Sequence, residues 1–290
     1  MSDDGYFPDG RSLLRRVHAE RAVGLLYGQR ALMIGALDPR AFVGTWQHTR
    51  ARLSPFQRLT HTAKAFEAIF FGTRAEADAV LAAVRRLHER VRGTLPEDAG
   101  ATPAGTPYTA FDPDLMLWTV AVAADSAQTF YELLVAPLSA TEREALWADY
   151  VRFGELFGMP REAAPPTHPE FRAWWERRLR SEEMHLTAEA RRIGYATAFE
   201  IPLPGIYAPA GRLHNLIMLG SLPDRVRERY GLRWTPAHAA AFRAAVLALR
   251  RGRPLVPAPV RRGANTDAFD LVARTELRRL ARAEPQPAPS

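Results

Sequence analysis

The chain of 290 residues contains no cysteine. Disulfides, thiolate metal sites, thiolate haem ligation and cysteine nucleophiles are therefore excluded. Any metal or haem ligand has to come from the eight histidines, the carboxylates, tyrosine or methionine. The sequence also lacks a Gly-rich phosphate loop, a G-x-S-x-G nucleophile elbow and an H-E-x-x-H zinc motif, so these three common kinds of enzyme site find no support in it.

Long hydrophobic runs are missing as well. The longest apolar run is LMLWTVAVAA, residues 115–124. This run is too short to span a bilayer, so we expect a buried helix there and no transmembrane segment. The opening residues, MSDDGYFPDG, are acidic and polar and have no apolar stretch of the kind found in a signal peptide. We therefore expect a cytoplasmic protein.

Positive charge comes almost entirely from arginine, because lysine occurs once, at Lys64, while the formal net charge is +7. Between Arg250 and Arg282 the chain carries nine arginines and three acidic residues, which places nearly all of the basic excess at one end. Such an end favours nucleic acid or an anionic membrane surface as a partner. No nucleic-acid motif and no interleaved aromatic residues accompany it, so we expect no nucleic-acid partner and interpret it as a solvated basic face.

Helical periodicity runs from one end of the chain to the other, and no stretch alternates like a strand. We therefore predict an all-α fold with one large helical domain over residues 12–282, a flexible N-terminus over residues 1–11 and a disordered tail over residues 283–290. The predicted helices cover residues 12–28, 39–51, 55–71, 74–93, 113–136, 140–157, 168–180, 186–199, 211–230, 236–251 and 265–282.

Capping signals mark several of these helix starts. Asp112 and Thr235 each precede a proline, which places a capping side chain before a residue suited to the first helical position. Ser139 and Glu142 have the spacing of a capping box.

The segment VRRLHERVRG, residues 84–93, places a histidine where the helical pattern predicts a core residue. Apolar residues recur there at spacings of three and four, which predicts one buried stripe made of Val80, Val84, Leu87 and Val91. His88 falls on that stripe. The ordinary interpretation is a core histidine with one hydrogen bond to a neighbour, because periodicity cannot distinguish it from a ligand.

The preceding helix carries three polar residues close together. Arg58 and Thr62 are four apart and share a face, and His61 borders the same patch. The rest of this surface is apolar. An arginine near a helix start often pairs with a carboxylate, so spacing alone leaves a structural role open for Arg58.

Six segments then stand in a fixed order: GQRALMIGALDPRAFVGT (28–45), Arg58-x-x-x-Thr62, His88-x-x-Val91-x-Gly93, Tyr108-x-Ala110-x-Asp112-Pro113-x-Leu115-x-x-Trp118, FGELFGMP (153–160) and LPDRVRERYGLRW (222–234). No single segment is specific, but their order is. With them the chain resembles the MpaB and latex-clearing-protein superfamily over residues 12–262.

This resemblance implies an all-α protein that encloses a b-type haem and cleaves alkenes oxidatively with dioxygen. It implies that His88 is the proximal iron ligand and that Arg58 and Thr62 are the distal residues, which touch the cofactor and take part in catalysis. Its partners are then dioxygen and a hydrophobic small molecule, an isoprenoid or other alkene. An apolar wall suited to such a substrate is expected from Leu59, Phe66, Phe70 and Trp118.

The chain departs from the family pattern at three places. Asp38-Pro39 stands where many relatives have His-Pro, and we interpret Asp38 as a helix cap. The stretch after Trp118 reads TVAVAA instead of a polar sequence, which alters the expected pocket lining. His61 stands where some relatives place a basic residue. Two roles are open for His61: it binds the cofactor through a second axial bond to iron, or it faces solvent.

The remaining histidines are weaker candidates. For His48 we expect a structural role beside Trp46. The E-x-x-H spacing that ends at His185 resembles half of a di-iron carboxylate site, but the chain shows no second copy of it. Polar settings near helix starts indicate surface positions for His168, His214 and His238.

The sequence therefore predicts a haem b-dependent oxygenase. Two other interpretations remain open: a non-catalytic protein that binds haem or another hydrophobic ligand, and a helical adaptor whose basic end binds anionic partners. The oligomeric state is not predicted.

Overall fold

A computed structural model describes residues 4–48 and 54–283. Within these ranges the predicted all-α fold is confirmed, with fourteen α-helices, three short 3-10 turns and one small antiparallel sheet. The α-helices are α1 (Leu13–His18), α2 (Arg21–Gly35), α3 (Pro39–Gln47), α4 (Pro55–Phe71), α5 (Arg74–His88), α6 (Pro113–Leu134), α7 (Ala140–Leu156), α8 (His168–Arg180), α9 (Ala188–Phe199), α10 (Ala208–Ser221), α11 (Asp224–Tyr230), α12 (Pro236–Gly252), α13 (Ala258–Arg261) and α14 (Thr266–Ala283). The strands are β1 (Arg92–Thr94) and β2 (Pro107–Thr109).

Helix α6 forms the centre of the molecule and contains the longest apolar run. Its residues 115–118 and 120–127 are buried, and it packs against α2 on one side and α7 on another. The predicted buried helix is thus confirmed. None of the helices in the described ranges is both long and apolar enough to cross a membrane.

The predicted capping residues start their helices as expected. Asp112 accepts hydrogen bonds from two backbone N–H groups of the first turn of α6, and Ser139 and Thr235 each form a capping box. Asp38 likewise accepts from the backbone N–H groups of Arg40 and Ala41, so its interpretation as a helix cap is confirmed.

Two predicted helices are divided in the structure. The helix predicted over residues 12–28 breaks at Ala19 and Glu20, and its second part continues to Gly35 as α2. The helix predicted over residues 211–230 breaks at Pro223, because proline cannot donate a helical hydrogen bond and disfavours the helical conformation of the residue before it.

The small sheet was not predicted. Helix α5 ends at His88, five residues before the predicted boundary, and β1 pairs antiparallel with β2 so that Gly93 lies opposite Tyr108. A Cβ atom on Gly93 would lie only 2.7 Å from the Tyr108 hydroxyl oxygen, so any larger residue would require the Tyr108 ring to shift. Three-residue strands are too short to show alternation, which is why the sequence pattern did not reveal them.

Residues 5–7, within the N-terminus predicted to be flexible, pack against the body of the protein. Phe7 is buried and its ring lies 6.1 Å from that of Phe70, while the Tyr6 hydroxyl donates a hydrogen bond of 2.6 Å to Asp78. Burial of a large aromatic side chain fixes this segment on α4 and α5. The predicted disordered tail lies outside the described residues, apart from Ala283 at the end of α14.

A buried ion pair joins three parts of the chain. Arg30 of α2 donates a hydrogen bond of 2.7 Å to Asp125 of α6, and both side chains are at most 6% exposed. The same guanidinium donates to the Ser126 hydroxyl (2.9 Å) and to the Ser221 carbonyl (3.1 Å), and Arg172 also contacts Asp125. Buried charges are tolerated only when they are paired and hydrogen-bonded in this way.

Candidate functional site

Helices α4 and α5 form an antiparallel hairpin that positions the candidate residues. Only Gly72 and Thr73 connect the two helices, which pack along each other. At a rise of about 1.5 Å per residue both helices are about 22–26 Å long. His88, the last residue of α5, therefore returns to the level of the first turns of α4, which carry Arg58 and Thr62.

His88 is half-buried between aromatic rings. Its ring centroid lies 6.2 Å from that of Phe111 and 6.5 Å from that of Phe157. Burial lowers the pKa of His88, so the imidazole is neutral at physiological pH. Within the described ranges neither ring nitrogen has a hydrogen-bond partner. Within these ranges His88 is therefore not a core histidine held by a hydrogen bond to a neighbour.

The rings next to His88 continue into an aromatic cluster, which consists of Phe66, Phe70, Phe153 and Phe157. The Phe66 and Phe153 centroids are 5.0 Å apart, as are those of Phe153 and Phe157. Two residues of the predicted apolar wall, Phe66 and Phe70, thus lie in this cluster.

Trp118, which was also predicted to line this wall, lies elsewhere. It is fully buried, stacks on Trp175 at 5.5 Å and donates a hydrogen bond of 3.0 Å to the Gly35 carbonyl. Its ring contacts are with tryptophans of α8, so it belongs to the core around α6.

The predicted buried stripe of α5 is only partly correct. Val80, Val84 and Val91 are partly buried, but Leu87 is 51% exposed. Because α5 lies at the edge of the molecule and packs chiefly against α4, only a narrow face of it is covered. The wall next to His88 is consequently open on the Leu87 side.

Arg58 carries a half-buried positive charge. Its guanidinium carbon lies 5.6 Å from the centre of the Trp46 ring, and it forms no ion pair within the part of the chain that the structure describes. Burial lowers the pKa of Arg58 and Glu276 acts in the opposite direction, but arginine remains protonated under all physiological conditions. The carboxylate partner expected for a purely structural arginine is therefore not observed.

Helix α3 connects Arg58 with the segment that follows His88. Trp46 lies on α3, and Gly44 of the same helix packs on the sheet, where an added Cβ atom would lie 3.3 Å from the Tyr108 ring and 3.6 Å from Val91. The nearby His48 contacts this tyrosine too, with Nε2 at 3.3 Å from the hydroxyl oxygen.

Thr62 and His61 are both exposed on α4. Thr62 lies one turn beyond Arg58, and the Leu59 side chain beside them is partly buried. The lengths of the two helices therefore put Arg58, Thr62 and His88 at the same end of the hairpin, with Thr62 exposed and the other two side chains partly buried.

His18 is a buried histidine that the sequence analysis did not single out. Its Nε2 lies 2.7 Å from the Tyr150 hydroxyl oxygen, and its ring centroid lies 4.5 Å from those of Tyr27 and Phe70. Burial lowers the pKa of His18 to about 3. The side chain also lines an internal cavity of about 10 Å³, enough for about one water molecule. The sequence did contain a signal for its burial, because His18 shares a face of α1 with the apolar residues Leu14 and Val17.

We expect His18 to make the protein less stable in mild acid. The unfolded chain binds a proton at His18 below pH ~6.5, whereas the folded protein does not until about pH 3. Stability is therefore lost as the pH falls through this window. Between pH 7.5 and 5.5 the free energy of unfolding should fall by about 1.4 kcal/mol more in the wild type than in His18→Gln.

Urea unfolding at the two pH values measures this difference. Tyr150→Phe is the matched control, because it removes the hydrogen bond and retains the buried imidazole; its pH dependence should stay as steep as that of the wild type. Equal pH dependence in His18→Gln and the wild type would contradict the assignment.

Three further histidines differ from their predicted surface positions, since all are partly buried. His214 makes the closest contact, with Nε2 at 2.8 Å from Oε1 of the buried Gln29. The Nε2 atom of His168 lies 3.0 Å from Gln128, and His238 completes the capping box of α12. All three are explained by local structure.

The hairpin and its surroundings define a class of protein: an all-α protein in which one arm of a helical hairpin ends in a neutral imidazole beside aromatic rings and the other arm carries an arginine, neither with a side-chain hydrogen bond or ion pair to the residues that the structure describes. The chain belongs to the family described as ER-bound oxygenase mpaB/B'/Rubber oxygenase, catalytic domain, whose model matches residues 15–251. The resemblance inferred from the six sequence segments is thereby confirmed.

Two relatives have no described function of their own. They are uncharacterized proteins of Mycobacterium bovis and Mycobacterium tuberculosis, each 27% identical over 203 residues, which is 70% of this chain and 76% of the relative. No solved structure matches the chain.

Proposed function

We propose that this protein is a haem b-dependent oxygenase that uses dioxygen to oxidise a hydrophobic small molecule. The family is an oxygenase catalytic domain, so a small-molecule substrate and dioxygen follow from membership. The observation that supports haem is the state of His88, which is neutral, lies next to aromatic rings and has no hydrogen-bond partner for either ring nitrogen among the described residues.

The residues around His88 fit a haem. Haem iron needs only one or two ligands from the protein, and a neutral imidazole is one of the commonest. Flat aromatic rings such as Phe111 and Phe157 suit the face or edge of a porphyrin. When bound through a single histidine, haem supplies an open position for dioxygen chemistry.

Arg58 supplies a fixed positive charge on the other arm of the hairpin. Because it forms no direct ion pair with a carboxylate in the described ranges, its N–H groups are available to donate to negative charge that develops on oxygen. The Trp46 ring holds the guanidinium in place. Thr62, one turn further along α4, brings a hydroxyl that donates or accepts a hydrogen bond at the same side.

The aromatic cluster favours a hydrophobic substrate. Phe157, whose ring centroid lies 6.5 Å from that of His88, and Phe66 are its partly buried members, and they offer apolar surface that binds hydrocarbon without directional contacts. An isoprenoid or another alkene fits this chemistry.

An absorption spectrum of protein purified from haem-supplemented cells tests the cofactor, before and after reduction with dithionite and addition of carbon monoxide. We expect a Soret band that shifts with both treatments. Oxygen consumption that depends on an added alkene then tests the enzyme. A haem spectrum without oxygen consumption on any alkene would support the non-catalytic carrier, and no Soret band would refute the haem assignment.

We expect Arg58→Ala to retain haem but to lower kcat on the order of a hundredfold, because one preorganised donor to developing negative charge is lost. Thr62→Ala should lower kcat less, since Thr62 is exposed and competes with water. Steady-state oxygen consumption measures both. Arg86→Ala is the matched control, as it removes an exposed arginine from the other arm of the hairpin. Unchanged kcat in both Arg58→Ala and Thr62→Ala would exclude these residues from the mechanism.

A further inference from the structure

A segment that follows α12 and contains a 3-10 turn and the four-residue helix α13 is clamped at its base by arginines, and we call residues 253–262 the arginine-clamped loop. Arg253 and Arg262, at its two ends, both donate to the carboxylate of Glu20, with shortest distances of 2.7 and 3.0 Å. Arg261 lies 3.8 Å from the same carboxylate. The side chain of Glu20 is only 6% exposed, so the base of the loop is anchored in the body of the protein between α1 and α2.

The apex of this loop is apolar and projects into solvent. Residues 254–260 read PLVPAPV, carry no polar side chain and are all exposed. Leu255 is 85% exposed and Val260 is 61% exposed. Adjacent apolar side chains exposed to this extent are typical of an interaction site. Three prolines restrict the backbone, so the apex presents these side chains without a large loss of conformational entropy when it binds.

Positive charge surrounds the apex. Arg250 and Arg251, in the last turn of α12, are exposed and have no ion-pair partner within the described ranges. Together with the three arginines of the clamp they make five positive charges. The negative charge in contact with the clamp is that of Glu20. The apolar apex is thus set in a surface with a local excess of four positive charges.

We propose that the arginine-clamped loop docks this protein on an anionic lipid bilayer. Apolar side chains that enter the interface, flanked by arginines that remain at the phosphate level, are the combination by which peripheral proteins bind such membranes. A second copy of the chain would bring the same positive charges against this surface, which disfavours self-association. The proposal does not depend on haem or on the oxygenase activity.

Flotation with vesicles tests the proposal on the full chain. We expect binding to vesicles of phosphatidylcholine with 30 mol% phosphatidylglycerol and little binding to phosphatidylcholine alone, and we expect 0.5 M NaCl to weaken it. Leu255→Ser with Val260→Ser should lower the vesicle affinity at least about tenfold, because two apolar side chains no longer leave water. Arg250→Ser with Arg251→Ser should lower it about 30-fold, because two charges near the surface are lost.

Arg191→Ser with Arg192→Ser is the matched control, since it also removes two adjacent exposed arginines. These residues lie on α9, where the nearby Gly194 packs on Tyr230. The Tyr230 hydroxyl donates to the Met33 carbonyl, near the C-terminal end of α2. Glu20 and the loop are at the N-terminal end of α2, so the control residues lie far from the loop. The control should bind vesicles as the wild type does, and circular dichroism should show that all variants retain the wild-type helix content.

Three outcomes would overturn the proposal. The first is that wild-type protein does not float with anionic vesicles. Loss of binding in the arginine variant but not in Leu255→Ser with Val260→Ser would indicate a general polyanion site, such as one for nucleic acid. A wild-type dimer that becomes a monomer in the apolar variant, measured by light scattering, would indicate an interface between copies of the chain.

Discussion

His88→Ala is expected to abolish stoichiometric haem binding while the protein remains folded. In the proposed holoprotein the imidazole is the ligand that holds the iron, and we expect neither the exposed His61 nor His48 to replace it. The cost to folding should be small, since His88 is only half-buried and makes no hydrogen bond in the described ranges. The haem content of purified protein, measured as the pyridine haemochrome, gives the result, and the helix content by circular dichroism checks the fold.

His61→Ala and His48→Ala are the matched controls, since each removes one imidazole near the same end of the hairpin. Both should retain full haem content. If His88→Ala kept its haem with an unchanged spectrum, the ligand would be another histidine, and loss of haem in one of the two controls would identify it. His48 would be examined first, because its Nε2 contacts the Tyr108 hydroxyl next to the segment that follows His88.

Arg30→Ala should lower the free energy of unfolding by about 3 kcal/mol or more. It would leave the buried Asp125 carboxylate without its closest fully buried partner and the Ser221 carbonyl without a donor. Arg172 also contacts Asp125, but its side chain is 37% exposed and offsets only part of this loss. Denaturant unfolding monitored by circular dichroism measures the change.

The control is Arg143→Ala, which breaks an ion pair of the same length, 2.7 Å, with Glu132 at the surface. Its cost should stay below about 1 kcal/mol because water screens exposed pairs. Arg30→Met combined with Asp125→Leu should recover much of the stability that Arg30→Ala loses, because no unpaired buried charge remains. Equal costs for Arg30→Ala and Arg143→Ala would show that burial contributes nothing at Arg30.

Helix α4 shows what the sequence could predict. Its predicted bounds, residues 55–71, agree with the structure, because a capping box of Ser54 and Gln57 begins the helix and glycine ends it. Such signals are local and need no knowledge of the rest of the fold. The end of α5 was placed too late, since the apolar spacing continues to Val91 after the helix has stopped at His88. The chain instead leaves the helix to form β1, in which Gly93 pairs with Tyr108, fifteen residues further along the chain.

The buried polar groups could not be predicted in the same way. Arg30 reads as a surface residue on a helix, and its burial depends on Asp125 and Ser221, which are distant in sequence. His18 is buried because Tyr27, Phe70 and Tyr150 enclose it from three other helices. The placement of Arg58, Thr62 and His88 was predicted from the family resemblance; spacing alone gave no means of bringing the two helices together.

The hairpin of α4 and α5 restricts how the chain can change in length. Its connection is two residues long, so deletion of one residue between Arg58 and Gly72 would rotate Arg58 by about 100° and shift it by about 1.5 Å relative to His88. Insertions in the loop between β1 and β2 have no such effect, because the paired strands already hold its two ends together. Length variation among functional relatives should therefore concentrate in residues 95–106 and avoid both arms of the hairpin.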